Sequence, residues 1–182
     1  MSRILATAGS NSSTSINFQL VRYTAGLLED RDVDLLELAT WEFPMYSEDR
    51  EAADGIPQPV SALKDRIQEA AGLVLSVNEH NGNPSAFFKN ILDWLSRAER
   101  QFLSDLPVLL MSTSGGKRGA ASSRGVVEQM IPRFGGTVAA TFSLPGYYDH
   151  FDKQSGITDP DLSAAHRQAL DQFLSEVEKS AG

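Results

Sequence analysis

The segment Gly72-Leu73-Val74-Leu75-Ser76-Val77 decides the fold, because it is the clearest strand in the chain and is apolar at nearly every position. A short run that is apolar on both faces is typical of a parallel sheet covered by helices on both sides. Four further runs share this character, at 4–8, 33–38, 107–112 and 137–142. The sequence therefore predicts five strands.

Segments with helical periodicity lie between these strands and after the last of them. Apolar residues follow a helical pattern in five segments: 16–27, 60–70, 88–95, 120–134 and 162–177. Five βα units predict a doubly wound α/β sheet with right-handed crossovers. No repeat, low-complexity tract or flexible linker interrupts the 182 residues, so we expect a single domain over 1–182.

Two long segments, 39–59 and 145–160, show neither pattern, and we expect them to be irregular. Both carry several aromatic residues. Long loops of this kind in a compact domain often bind a ligand or cover an interface, and they can equally be plain surface lids over the core. The sequence leaves both interpretations open.

The composition excludes several classes of site. The chain has no cysteine, which rules out disulfides, zinc-thiolate sites and cysteine nucleophiles, including the cysteine-dependent phosphatases that share a similar sheet architecture. The histidines His80, His150 and His166 are not spaced as a metal cluster, so we expect no metal site. No Gly-x-Ser-x-Gly nucleophile elbow is present.

The net charge and the hydropathy of the chain limit which partners it can bind. Sixteen basic and 24 acidic residues give a net charge of −8, which disfavours nucleic acid because phosphate neutralisation needs clustered Lys and Arg. No apolar stretch approaches the roughly 20 residues of a membrane helix, and the first residues show no signal-peptide pattern. We expect a cytoplasmic protein that engages neither nucleic acid nor a membrane.

In doubly wound sheets a ligand binds beyond the carboxyl ends of the strands, at the switch point of the topology. The first loop there, Gly9-Ser10-Asn11-Ser12-Ser13-Thr14-Ser15-Ile16-Asn17, holds five hydroxyl residues between a strand and a helix start. Free backbone N–H groups and a helix dipole attract an anion, and small hydroxyl side chains add donors. A helix cap needs only one such residue, so we expect a phosphate site here.

Two further loops join this edge of the sheet. The second loop (78–85) and the third loop (112–120) are rich in glycine and short polar residues, which lets the backbone approach a flat ligand closely. Either could be an ordinary turn by itself. Together with the first loop they predict three polar segments around one ligand.

The three loops resemble motifs of the NADPH-dependent FMN reductase family, which includes quinone, chromate and azo-dye reductases. The family's first motif, Gly-Ser-x-Arg-x-x-Ser-x-Asn, is matched in register by four residues: Gly9, Ser10, Ser15 and Asn17. Its second motif, Pro-Glu-Tyr-Asn-Gly followed by Lys-Asn-x-x-Asp-Trp, is matched by seven: Glu79, Asn81, Gly82, Lys89, Asn90, Asp93 and Trp94. Its third motif, of the type Ser-Pro-Gly-Gly-x-x-Gly, is matched by four: Ser114, Gly115, Gly116 and Gly119.

The chain departs from the family pattern at three positions. Ser12 stands where the family has arginine, Asn78 where it has proline, and His80 where it has tyrosine. Loss of the arginine removes a cation beside the phosphate, which then depends on dipoles and hydroxyl groups.

The resemblance implies a flavodoxin-like fold, with a five-stranded parallel sheet of order 2-1-3-4-5 and helices on both faces. It also implies that FMN is the cofactor and that NADPH or NADH is the reductant. Electrons would pass through FMN to a small acceptor such as a quinone, free flavin, azo compound or metal oxyanion. Because the chemistry belongs to the cofactor, no catalytic residue is named.

The resemblance also distributes roles among the loops. Four residues would hold the FMN phosphate: Ser10, Ser12, Ser15 and Asn17. Four would line the isoalloxazine edge, largely through backbone groups: Glu79, His80, Asn81 and Gly82. Four would close the other side: Ser114, Gly115, Gly116 and Lys117. Lys117 could place positive charge near flavin N1 or O2, or could be a solvated loop cation.

The predicted helix over 88–95 carries a second apolar stripe beside its core stripe. Phe87, Trp94 and Ala98 widen the apolar arc beyond the roughly 100° that one buried face needs. We expect a second partner surface, and the family resemblance implies a homodimer or homotetramer whose interface helps wall the flavin sites. The alternative is a helix wedged deeply in its own core.

Two other functions compete with the reductase. The chain could be a flavodoxin-like electron carrier that binds FMN without a nicotinamide site, or a cofactor-free interaction module that kept the fold. The serine at position 12 favours the module, whereas the intact second and third loops oppose it.

Overall fold

A computed structural model describes residues 3–28 and 30–180. Its centre is a five-stranded parallel sheet of order β2-β1-β3-β4-β5. The strands are β1 Ile4–Ala8, β2 Val33–Leu36, β3 Gly72–Val77, β4 Pro107–Thr113 and β5 Thr137–Leu144. The predicted architecture, strand direction and strand order are confirmed, with β2 ending two residues early and β5 two residues late.

Seven helices surround the sheet in the described residues. They are α1 Ile16–Gly26, α2 Glu48–Asp54, α3 Gln58–Gln68, α4 Ala86–Ala98, α5 Ala121–Met130, α6 Tyr147–His150 and α7 Pro160–Ser180. The five predicted helices correspond to α1, α3, α4, α5 and α7. The helix predicted over 120–134 is wrong in one respect, because α5 ends at Met130 and the chain continues as a 3-10 helix, Ile131–Phe134.

The prediction of two irregular segments is also wrong. Segment 39–59 contains α2, and segment 145–160 contains α6 and a small hairpin of β6 Phe151–Asp152 and β7 Gly156–Ile157. None of the residues of α2 is buried, so it has no apolar face for a periodic pattern to reveal. A cap starts it instead, since Ser47 Oγ accepts a hydrogen bond from Arg50 N at 3.2 Å.

Both faces of the sheet are buried, which explains the continuous apolar strands. In β1, Leu5 packs into the cluster that α3, α4 and α5 complete, whereas Ile4 and Ala6 pack into the cluster that α1 and α7 complete. Successive side chains of a strand point to opposite faces, so every position of a central strand is a core position.

The second apolar stripe of α4 is covered by the chain itself. Trp94 is fully buried, and its Nε1 donates a hydrogen bond to Pro44 O at 2.7 Å. The Tyr46 ring packs edge-on against the Trp94 ring, with 5.0 Å between the ring centroids. The ring centroids of Phe43 and Phe87 are 5.9 Å apart. The interpretation of this stripe as a second partner surface is therefore wrong, and burial in the chain's own core accounts for it.

Within residues 3–28 and 30–180, the helices are too short or too polar to cross a bilayer.

Candidate functional site

The first and second loops are in direct contact at the carboxyl edge of the sheet. Gly9 N donates to Ser76 O at 2.9 Å, and Ser85 Oγ donates to Gly9 O at 3.0 Å. A Cβ atom at Gly9 would lie 2.5 Å from the Phe88 ring, so a larger residue would separate the first loop from α4. Glycine at position 9 is required by this close approach.

The hydroxyl groups of the first loop are partly used by the loop itself. Ser15 Oγ caps α1 by accepting from Phe18 N at 3.2 Å, so this serine performs the ordinary capping role. Ser10 is buried, and its Oγ accepts from Ser12 N at 3.3 Å. Ser12 is exposed, and its Oγ accepts from Thr14 N at 3.3 Å. Ser10 and Ser15 thus shape the loop, while Ser12 lies at its surface.

The backbone of the first loop retains donors for an anion. Among the described residues no acceptor receives the N–H groups of Asn11, Ser13 and Ile16. These groups lie at the positive end of the α1 dipole, beside the exposed hydroxyl groups of Ser12 and Thr14. The donor set fits a phosphate group and contains no cation, as the serine at position 12 predicts.

Asn17 is placed differently from the expectation. It is 3% exposed, and its amide is bonded to the chain rather than turned toward the ligand edge. Its Oδ1 accepts from Ser76 Oγ at 2.7 Å and from Thr113 N at 3.0 Å, and its Nδ2 donates to Thr113 O at 3.1 Å. A direct contact with phosphate does not fit this geometry.

A tight turn forms the tip of the second loop. His80 N donates to Asn83 O at 2.8 Å and Asn83 N donates to His80 O at 3.1 Å, which closes a two-residue hairpin. Asn81 and Gly82 have φ of 53° and 76°, as a type I′ turn demands. The Asn-Gly pair therefore has a conformational reason, and the turn leaves His80 exposed.

The base of the second loop is tied to α5. Glu79 Oε2 accepts from Ser123 N at 3.1 Å, and Ser123 Oγ donates to Asn78 O at 2.7 Å. The N-cap residue of α5, Ala120, has no side chain able to cap the helix, so the Glu79 carboxylate supplies the acceptor and a negative charge at the positive helix end. The side chain of Glu79 thus fixes the second loop to α5.

Sequence reasoning missed two polar groups beside Glu79. Ser123 lies within a helical pattern and gave no signal of its own. Asn78 replaces the family proline, and its Oδ1 is buried without a hydrogen-bond partner among the described residues. Such an orphaned acceptor is unusual in a folded protein and is available to a ligand donor.

The third loop is anchored to α6. Tyr147 N donates to Ser114 O, and Gly146 N donates to Gly116 O, both at 3.0 Å. The exposed Tyr148 ring lies against Gly115, where a Cβ would approach it to 3.1 Å. Lys117 is exposed. Three of the four expected residues of the third loop are thus exposed, and an aromatic ring that the motif did not predict lies against Gly115.

α6 is in turn linked to α1, the helix that follows the first loop. The Tyr147 hydroxyl donates to Gln19 Oε1 at 2.7 Å, and burial raises the pKa of this phenol, so it stays protonated as the donor. The structure therefore connects all three loops: the first to the second through Gly9 and Ser85, and the first to the third through Asn17 and Thr113. An anion-binding loop next to two glycine-containing loops fits a flat molecule with a phosphate tail, as FMN is.

The comparison with known proteins decides the family. A family model described as NADPH-dependent FMN reductase matches residues 2–149. The chain belongs to this family. It is therefore an NAD(P)H-dependent oxidoreductase that uses FMN, and the resemblance to the FMN reductase family is confirmed.

The chain is also similar to individual proteins, two of which are named as oxidoreductases. An uncharacterized protein of Mycoplasma pneumoniae is 30% identical over 154 residues, which cover 82% of this chain and 90% of that protein. A quinone reductase of Escherichia coli strain K12 is 34% identical over 90 residues, covering 50% of this chain and 48% of that reductase, or about half of its length. The structure of a flavoenzyme NAD(P)H:(acceptor) oxidoreductase from Paracoccus denitrificans matches over 99% of both chains, with 25% identity and a TM-score of 0.79.

Proposed function

We propose that this protein passes electrons from NAD(P)H through FMN to a small acceptor, with a quinone as the leading candidate. The observation that carries the proposal is the first loop, where the N–H groups of Asn11, Ser13 and Ile16 lie at the dipole end of α1 and have no acceptor among residues 3–28 and 30–180. The quinone is favoured because a relative that shares 34% identity over 90 residues is a quinone reductase. The other acceptors of the family, free flavin, azo compounds and metal oxyanions, are alternatives in the same assay.

The roles of the chain's own residues follow from the site. The first loop would hold the phosphate through backbone N–H groups, assisted by the Ser12 hydroxyl. The second loop, fixed by Glu79 and Ser123, would present its backbone to one edge of the ring, and the third loop would close the opposite edge. Bound FMN supplies the redox chemistry, so no side chain needs to act as an acid or base. Lys117 would place a positive charge near the ring, where negative charge accumulates on reduction.

The experiment has two stages. The purified protein is titrated with FMN and with riboflavin, followed by flavin fluorescence. FMN should bind more tightly, because only FMN carries the phosphate that the first loop is built to hold. Absence of binding for both flavins would support the cofactor-free module and overturn the proposal.

The second stage separates an enzyme from an electron carrier. Oxidation of NADPH and NADH is followed with FMN present and a benzoquinone as acceptor. Turnover supports the reductase. Tight FMN binding without oxidation of either nucleotide would indicate a flavodoxin-like carrier instead.

A homodimer is also proposed. Its support is the family resemblance alone, because residues 43–46 of the same chain cover the apolar stripe of α4. The side chain of Met45 is 69% exposed between two anchored neighbours and is a candidate contact. Light scattering with size-exclusion chromatography measures the mass. A monomeric mass at micromolar concentration would refute the dimer.

A further inference from the structure

Asn17 occupies the point where the first loop, β3 and β4 meet. It is the second residue of α1 and comes directly after the hydroxyl-rich part of the first loop. Its partners are Ser76, near the end of β3, and Thr113, the last residue of β4. The second loop starts two residues after Ser76, and the third loop continues directly from Thr113. One side chain is thus bonded to the starting points of both loops.

The hydrogen bonds of Asn17 satisfy its amide almost completely. Two donors, Ser76 Oγ and Thr113 N, converge on Oδ1, while Nδ2 donates to Thr113 O. The pairing with both backbone groups of Thr113 copies the way a neighbouring strand would bond there. A further bond, Thr113 Oγ1 to Leu144 O at 2.8 Å, extends the connection to the end of β5. A satisfied buried network of this kind rigidifies its surroundings.

We propose that Asn17 is a positioning residue that holds the second and third loops, and with them the isoalloxazine site, in place from the first turn of α1. The proposal deepens the proposed function and depends on it. It replaces the phosphate contact that the motif alone suggested, because an amide with 3% exposure and three internal bonds has no surface for an anion.

A phosphate ligand and a positioning residue differ in which flavin's binding they affect. A phosphate ligand contributes to the binding of FMN and contributes nothing to riboflavin, which has no phosphate. A residue that holds the ring site contributes to both, because both ligands carry the same isoalloxazine ring. The ratio of the two dissociation constants therefore distinguishes the roles without any assay of enzyme activity.

The test uses Asn17→Leu and Ser76→Ala. The first keeps the approximate volume without adding charge and removes all three bonds of the amide, and the second removes one bond and leaves Asn17 intact. We expect FMN and riboflavin each to bind about tenfold more weakly in Asn17→Leu, with their affinity ratio within about twofold of the wild-type ratio. Ser12→Ala, at the exposed surface of the first loop, should weaken FMN alone and change the ratio.

A stability control separates positioning from general loosening. Val177 of α7 packs near Gly72 at the opposite edge of the sheet, so Val177→Ala should lower stability while leaving both flavin affinities unchanged. If Asn17→Leu fails to fold, Ser76→Ala carries the same prediction with a smaller effect. The inference is overturned if either variant weakens FMN but not riboflavin, or weakens neither. If the wild-type protein binds neither flavin, the proposed function falls first and the inference with it.

Discussion

The charge of the phosphate site is decided by one residue. Ser12 stands where the motif of the family's first loop has arginine, it is exposed, and no cation lies among residues 9–17. The proposed site would therefore bind phosphate through backbone N–H and hydroxyl groups, without a cationic side chain. On this proposal, residue 12 affects how tightly FMN is held compared with riboflavin.

Ser12→Arg should restore the missing cation. We expect FMN to bind about three- to tenfold more tightly at low ionic strength, with the gain reduced at high salt because the site is exposed. Fluorescence titration with FMN and riboflavin measures the effect. Ser12→Gln provides a long but uncharged control, and a riboflavin affinity that rises as much as that of FMN would contradict the explanation.

A second residue-scale feature is His166, which lies in the core far from the chemistry of the loops. It is 1% exposed, and its Nε2 lies 2.9 Å from Thr24 Oγ1. Burial, and to a smaller extent the charge of Arg167, lower its pKa from 6.5 to about 4. The folded protein therefore holds the neutral imidazole, whereas the unfolded chain binds a proton as soon as the pH falls below about 6.5.

The lowered pKa of His166 predicts that the protein becomes less stable at acidic pH. Stability should be unaffected above about pH 7 and should fall as the pH decreases from about 6.5 to 4, by up to about 3 kcal/mol from this group. Urea unfolding across that range measures it. His166→Gln can keep a hydrogen bond to Thr24 but cannot titrate, so the difference between wild type and variant isolates the contribution. Parallel pH profiles for the two proteins would contradict the assignment.

At the scale of elements, the segment that follows β2 covers the second apolar face of α4. Pro44 O accepts from both Trp94 Nε1 and Asn90 Nδ2, and Tyr46 N donates to Asn90 Oδ1 at 2.8 Å. Asn90 and Trp94 belong to the second family motif, and in the structure both anchor the segment after β2. A motif in a flavin-binding family thus contains residues that fasten a neighbouring segment to a helix.

The next helix turn continues this attachment. Arg97 Nε donates to the Glu51 carboxylate at 2.9 Å, and Tyr46 OH donates to the same group at 3.0 Å. The Arg97 guanidinium lowers the pKa of Glu51, so the carboxylate is charged at neutral pH. The pair docks α2, which buries none of its own residues, onto α4.

Trp94→Phe should loosen this segment while preserving most of the ring packing. Loss of the indole donor and part of the ring should cost about 1–2 kcal/mol of unfolding free energy and should speed proteolysis within residues 41–56. Urea unfolding and limited proteolysis measure the two effects. The chain has one other tryptophan, the half-buried Trp41, and Trp41→Phe serves as the matched control with a smaller expected cost. Equal losses for the two variants would mean that the bond to Pro44 contributes nothing.

At the scale of the whole molecule, FMN should act as a stabilising ligand, because the three loops come together only in the folded chain. A ligand at one hundred times its dissociation constant stabilises the native state by about 2.7 kcal/mol. For a domain of this size we expect FMN to raise Tm by about 5–10 °C. Thermal unfolding followed by circular dichroism measures the shift. Riboflavin at equal concentration should give a smaller rise, and no rise with either flavin would favour the cofactor-free module.

Much of this architecture could be predicted because it is local. Apolar runs such as Gly72–Val77 and the helical periods between them determine parallel strands and crossovers, and the switch-point rule then places three loops at one edge. The sequence predicted these features correctly. It failed at α2, which buries none of its residues, and at the β6–β7 hairpin, whose two-residue strands are too short to show a period.

The candidate site likewise has a part that could be predicted from the sequence and a part that could not. Residue types alone predicted an anion-binding first loop, because hydroxyl and glycine residues between a strand and a helix start have a meaning that does not depend on distant contacts. The tasks of Asn17, Glu79 and Trp94 were beyond that reasoning, since each bonds to a partner far along the chain: Thr113, Ser123 and Pro44.

The sequence by itself determined the doubly wound sheet, its polar edge and the family motifs, because hydrophobic period and backbone chemistry are properties of neighbouring residues. Only the tertiary structure decided which polar side chains face the ligand edge and which are consumed in holding the loops together. The physical reason is that a buried amide or carboxylate must find a hydrogen-bond partner, and folding rather than sequence spacing determines which partner is within reach.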